Sequence, residues 1–151
     1  MWALSEVREK VYNFQKLPLD KSHFITEVYF KMTDLVNIRL SKESNDIAEA
    51  LVSTGKFENV ITAAKFALAY ALKNHFDEFD PSKYAVADSG GNNYNIGTVD
   101  KDGQLSQLLR AIYPETDTPY IYARALMVFG LLKIGEKIEN EGMPSVSSLC
   151  E

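Results

Sequence analysis

Between positions 60 and 72, Val60, Ile61, Ala64, Phe66, Ala67, Leu68, Ala71 and Leu72 cover most of the circumference of a helix. A helix that is apolar nearly all round cannot lie on a surface and must be enclosed by other elements. This one segment sets the fold class. The rest of the chain has to supply amphipathic elements to surround it. At 151 residues the chain can bury such a core without disulfide or metal staples. With 46% hydrophobic and 25% charged residues, the composition is that of a folded domain rather than a disordered chain.

The enclosing elements can be read on both sides. Ser41 offers a hydroxyl cap for a helix over 42–53, whose apolar stripe is Ile47, Ala48, Leu51 and Val52 and whose stop is Thr54-Gly55. Asn59 caps the buried helix. Leu105, Leu108, Leu109 and Ile112 mark a short helix ended by Pro114. Thr118 as cap and Pro119 at the first helical position open a last helix to about Asn140, with Gly142 as its stop. Its Leu126, Phe129 and Leu132 stripe gives way to Lys133, Glu136 and Lys137. Gly130 and Gly135 inside it point to close approach of another backbone. Before all of these, Ser5, Val7, Val11 and Phe14 describe a helical arm broken at Leu17-Pro18. The expected organisation is an arm over 1–33, a helical core over 34–142 and a flexible tail over 143–151.

Two stretches depart from helical periodicity. Val36, Ile38 and Leu40 alternate with Asn37 and Arg39, as in a short half-buried strand. Ser89-Gly90-Gly91-Asn92-Asn93 is a turn signal between Tyr84–Ala87 and Tyr94–Val99, which predicts a small hairpin. The fold class is therefore mostly α-helical with a short strand or small β-hairpin, and the order strand, helix, helix over 35–75 is that of a ribbon-helix-helix module. A lone strand leaves amides and carbonyls unpaired and must find a partner. Two arrangements satisfy it. A second chain supplies the partner strand, or residues 36–40 join a small intrachain sheet and leave Arg39 as a solvated charge. If Val36, Ile38 and Leu40 face inward, Asn37 and Arg39 face outward. A two-stranded ribbon fits the DNA major groove, where Arg pairs with guanine and Asn with adenine.

The chemistry-bearing residues point away from catalysis. Gly90-Gly91 lacks the lysine and following helix of a phosphate loop. His23 and Glu27 stand four apart with no third metal donor in view, and His75 ends an apolar helix. No serine lies in a Gly-x-Ser-x-Gly elbow, and Cys150 stands alone. Asp77, Glu78, Asp80, Asp100 and Asp102 read as a solvated acidic loop, with a metal-dependent nuclease site as the rival. The expectation is no catalytic residue, no metal and no cofactor. The single cysteine suits a reducing, cytoplasmic setting. Ala125–Leu132, the most apolar stretch, is too short for a bilayer, so no membrane partner is expected. A net charge of −5 argues against indiscriminate nucleic-acid binding by charge alone, leaves room for a local basic patch, and equally suits a basic protein partner.

Asn37-Ile38-Arg39-Leu40-Ser41-Lys42-Glu43 resembles the opening of the DndE family, the small components of bacterial DNA phosphorothioation systems. Leu51 to Phe57 and Ala63-Ala64-Lys65-Phe66-Ala67 look like small proteins associated with the same gene clusters. So do Leu105–Ile112 and Gly130-Leu131-Leu132-Lys133-Ile134. The resemblance covers roughly 36–74 and 93–140. It implies a helical, oligomeric protein associated with nicked DNA, and it carries over no catalytic residue. The resulting expectation is a non-catalytic accessory subunit of a phosphorothioation-linked or related phage-defence system, binding DNA or assembling partner proteins. Asn37, Arg39, Ser41, Lys42 and Lys56 are the expected DNA contacts. Phe66, Leu126, Phe129 and Gly130 are the expected oligomer or partner interface. A ribbon-helix-helix regulator or antitoxin and a purely protein-interaction subunit are the alternatives.

Overall fold

The computed structural model describes residues 33–84 and 90–151. The arm expected over 1–33, with His23, lies outside the described residues except for Thr33. The elements run β1 (Asn37–Arg39), α1 (Lys42–Ser53), α2 (Val60–Asn74), β2 (Asn93–Asn95), α3 (Ile96–Val99), α4 (Gln104–Ile112), α5 (Pro119–Glu141) and α6 (Val146–Leu149). Two single 3-10 turns, Phe76–Glu78 and Pro81–Lys83, lie between α2 and β2. The protein is mostly helical with one two-stranded antiparallel sheet.

Capping chemistry explains the helix boundaries. The Ser41 hydroxyl accepts from the Ser44 amide at 3.2 Å and starts α1. The Asn59 carboxamide oxygen accepts from the Thr62 amide at 2.9 Å and starts α2. Satisfying these otherwise orphaned amides is worth about 1 kcal/mol per cap. At the start of α5 the expected cap is corrected: Thr118 makes no side-chain cap bond. Asp34, far away in sequence, takes its place and accepts from the Tyr120 and Ile121 amides, each at 3.0 Å. Local sequence could not reveal this, because the capping carboxylate arrives from the segment that leads into β1.

The core is built on α2 against α5. Ala63, Ala64, Ala67 and Ala71 of α2 have no exposed surface, and α5 is buried without a break from Tyr122 to Leu131. The helices meet so closely that a Cβ at Gly130 would collide with the carbonyl oxygen of Ala67. α1 packs on both, and α4 covers another side of α5 through buried Leu109. Gly130 therefore does permit close helix packing, but within one chain. Leu126, Phe129 and Gly130, expected at an interface between subunits, are interior residues of this core. Phe66 is half-buried against Phe57, with ring centroids 5.1 Å apart. Among the described residues α5 is the longest helix packed on α2, and its apolar stripe is used intramolecularly.

Two further expectations are corrected. The strand expected over 94–99 is shorter and pairs with β1: residues 93–95 form β2 and residues 96–99 are helical. Tyr84 ends a 3-10 turn, residues 85–87 lie outside the described residues, and the strand stops at Asn95, whose side chain accepts from the Gly97 amide at 2.7 Å and opens α3. The segment after Gly142, expected to be a loose tail, forms α6, capped by Ser145. Leu149 is buried, and Lys73 on α2 donates to the Cys150 carbonyl.

Gly130→Ala tests the crossing. Alanine gains about 1 kcal/mol of helix propensity. The collision is with backbone, which cannot rotate away, so overpacking of about 1–3 kcal/mol or more dominates. Thermal melting followed by circular dichroism should show a Tm lowered by several degrees; an unchanged or raised Tm would contradict this packing.

Candidate nucleic-acid interface

The ribbon pairs β1 with β2 antiparallel, in the register Asn37 opposite Asn95, Ile38 opposite Tyr94 and Arg39 opposite Asn93. The Ile96 amide extends the ladder by donating to the Val36 carbonyl at 3.1 Å. Of the two arrangements open to the strand, the intrachain sheet is the one formed. The sheet's inward side is Ile38, fully buried, with half-buried Tyr94 across from it. Because side chains alternate along a strand, the opposite side carries Asn37, Arg39, Asn93 and Asn95. Among the described residues, the side chains that β1 and β2 place on this side include no carboxylate and no apolar group. Val36 departs from the expected inward alternation: it is 74% exposed, one residue before the strand begins.

The ribbon is held firmly from behind. Asp34, three residues before β1, accepts from the first free amides of α5 and from the Leu35 amide at 2.9 Å. Arg124, buried in the second turn of α5, donates through Nε to the Arg39 carbonyl at 3.0 Å. Burial lowers the Arg124 pKa, but arginine keeps its charge across the working pH range. Gly91 lies so close to β1 that any Cβ there would strike the Leu40 carbonyl. The glycine pair thus serves close backbone approach at the entry to β2.

The structure divides the expected DNA contacts. Asn37 is half-buried and Arg39 exposed, and both lie on the outward face. Among the described residues, no ion pair engages the Arg39 guanidinium. Ser41 is redirected: its hydroxyl is occupied by the Ser44 amide and by the Ser44 hydroxyl at 2.8 Å, so it serves the cap. Lys42 is exposed and salt-bridged to Asp46 at 2.7 Å. Lys56 lies beyond the far end of the 12-residue α1, about 18 Å along its axis from Lys42. It does not belong to the ribbon site. Asn93 and Asn95 were missed by sequence reasoning. Their signal was the polar alternation about Tyr94, but the hairpin reading assigned that strand a different partner.

Three of the five acidic residues, Glu78, Asp80 and Asp100, hold separate structural posts. Asp100 accepts from the Leu105 and Ser106 amides at 2.9 and 3.0 Å and from the Tyr120 hydroxyl at 2.8 Å, tying the start of α4 to α5. Desolvation alone would raise its pKa, yet those three hydrogen bonds together outweigh it and hold the carboxyl below its ordinary range. Glu78 is lowered by hydrogen bonds from His75 and Lys133. Asp80 caps its 3-10 turn through the Ser82 amide. No cluster of three or more metal-ligating side chains occurs among the described residues. No helix among them is long and apolar enough to cross a membrane. Comparison with protein-family models, curated proteins and solved structures finds no match to this chain.

Asp100→Ala should cost about 1–2 kcal/mol at neutral pH, the worth of a cap. The folded-state pKa is depressed, so this stabilisation is complete above the unfolded carboxylate value of about 3.9. It is lost as pH falls through the lower folded value. Urea unfolding of wild type and variant should therefore differ from pH 5 upward and converge in stronger acid; a gap that persists in acid would contradict the carboxylate's role.

Proposed function

We propose that this protein is a non-catalytic accessory subunit that contacts duplex DNA through the outward face of its β1–β2 ribbon. The supporting observation is that Asn37, Arg39, Asn93 and Asn95 share one face of a ribbon anchored to the core, and that the two strands contribute no carboxylate to it. Successive outward residues of a strand stand about 7 Å apart, close to two base-pair steps at about 3.4 Å each. The two cross-strand pairs thus match two successive readings along a major groove. Arg39 offers a planar fork of donors suited to guanine, and Asn37 and Asn93 offer the donor-acceptor pair suited to adenine. The Asn95 oxygen is engaged with Gly97, so its amide nitrogen is the group left to donate.

Both strands come from one chain, which removes the need for a second subunit to complete the ribbon. This favours the accessory reading over an obligately dimeric ribbon-helix-helix regulator. The phosphorothioation-linked or related defence setting rests on the resemblance at 37–43 and 51–67. The first of those stretches is the ribbon and its junction with α1. The negative net charge calls for few phosphate contacts, so binding should be modest and its salt dependence shallow.

Electrophoretic mobility shifts over a salt series, with intact and nicked duplexes, test this. Arg39→Ala should weaken binding by about 1–3 kcal/mol and flatten any preference among sequences. Asn93→Ala should act in the same direction, and Lys56→Ala should have little effect. Wild-type binding that is absent, or that survives Arg39→Ala unchanged, would overturn the reading.

A further inference from the structure

An open groove of about 660 Å³ runs between α1 and the C-terminal half of α5. From α1 it is lined by Glu43, Asp46, Ile47 and Ala50, which stand at i, i+3, i+4 and i+7, together with Lys42. From α5 it is lined by Leu132, Gly135, Glu136 and Glu139 at the same spacing, with Ile138 beside them. That spacing is one complete face of each helix. Two helical faces with a trough between them offer the kind of seat a third helix takes in a bundle.

The chemistry of the seat is graded. Its floor is apolar: Ile47, Ala50, Leu132 and Ile138 are each only partly covered. Ile47 packs where a side chain on Gly135 would otherwise stand, so no bulk from α5 blocks the trough. The rim is acidic. Glu43, Asp46, Glu136 and Glu139 are all exposed along it. Lys42, within the lining, is paired to Asp46 at 2.7 Å, and Lys133 lies 3.1 Å from Glu78 and 3.6 Å from Glu136. The rim therefore retains a negative excess over an apolar floor.

We propose that this groove docks a basic amphipathic helix from another protein, its apolar side on Ile47, Ala50, Leu132 and Ile138 and its lysines or arginines against the four rim carboxylates. Charge complementarity selects this occupant. A second copy of this chain would bring its own acidic rim and repel, and DNA would meet carboxylates on both sides. The groove is lined by a different set of residues from the ribbon face, so its test is independent of the DNA reading.

The probe is a fluorescent helical peptide of about 14 residues, long enough to span the two turns of each wall, with leucines on one face and lysines on the other. Its scrambled isomer has equal charge and no apolar face. Anisotropy titration should show binding of the amphipathic peptide and much weaker binding of the scramble. The double charge reversal Glu43→Lys with Glu139→Lys, at exposed positions that leave the core intact, should weaken binding about tenfold or more. Leu132→Lys should also weaken it, through the floor. Amide shifts in an isotope-labelled sample should map to α1 and the second half of α5. Equal binding of both peptides, indifference to the charge reversal, shifts elsewhere on the protein, or no binding would each overturn the proposal.

Discussion

The strand that carries Arg39 is pinned to α5 at two points, and the arrangement of the rest of the molecule follows from that attachment. Asp34 closes the amino end of α5 with a carboxylate, where two unpaired amides and the helix dipole favour a negative charge. Five residues further on, Arg124 Nε holds the Arg39 carbonyl. A three-residue strand paired to one three-residue partner would be marginal by itself. Fixed to a buried helix at both ends, with Ile38 sunk into the core between them, it becomes a rigid platform. Its outward side chains are thereby separated from folding duties and left available to another molecule.

The second constraint is the meeting of α2 and α5. Alanines on one helix and Gly130 on the other let two backbones approach, and the long apolar run of α5 is consumed in covering α2. This is why the apolar stripes of the longest helices describe the interior of one chain. Two of the surfaces left over among the described residues are a polar ribbon face formed by β1 and β2 and an acid-rimmed groove between α1 and α5. Their charges differ, and they suit different classes of partner.

Local chemistry was legible in the sequence wherever it acted over a few residues. Ser41, Asn59, Pro114, Pro119 and Gly142 mark helix ends because caps and breakers work within one turn, and α1 begins and ends where Ser41 and Thr54 place it. The alternation about Ile38 gave the strand and its outward Arg39. What was not legible depends on long-range pairing. Nothing near residues 93–95 says that their partner is β1, because two short polar strands carry no register signal strong enough to choose. The Asp34 cap and the Arg124 anchor were hidden for the same reason. Arg124 in an apolar run reads as an interruption until the backbone carbonyl it serves is in place. The Val36 miss has a simpler cause: only its carbonyl joins the ladder, and its side chain, ahead of the strand proper, is left 74% exposed.

The most direct test of the central claim is a map of backbone amide shifts as duplex DNA is added to isotope-labelled protein. The account predicts that the largest changes fall on residues 37–39 and 93–95, and that they vanish in Arg39→Ala while the remainder of the spectrum stays native. Changes confined to α1, α5 or α6, or a ribbon unmoved at saturating DNA, would contradict it.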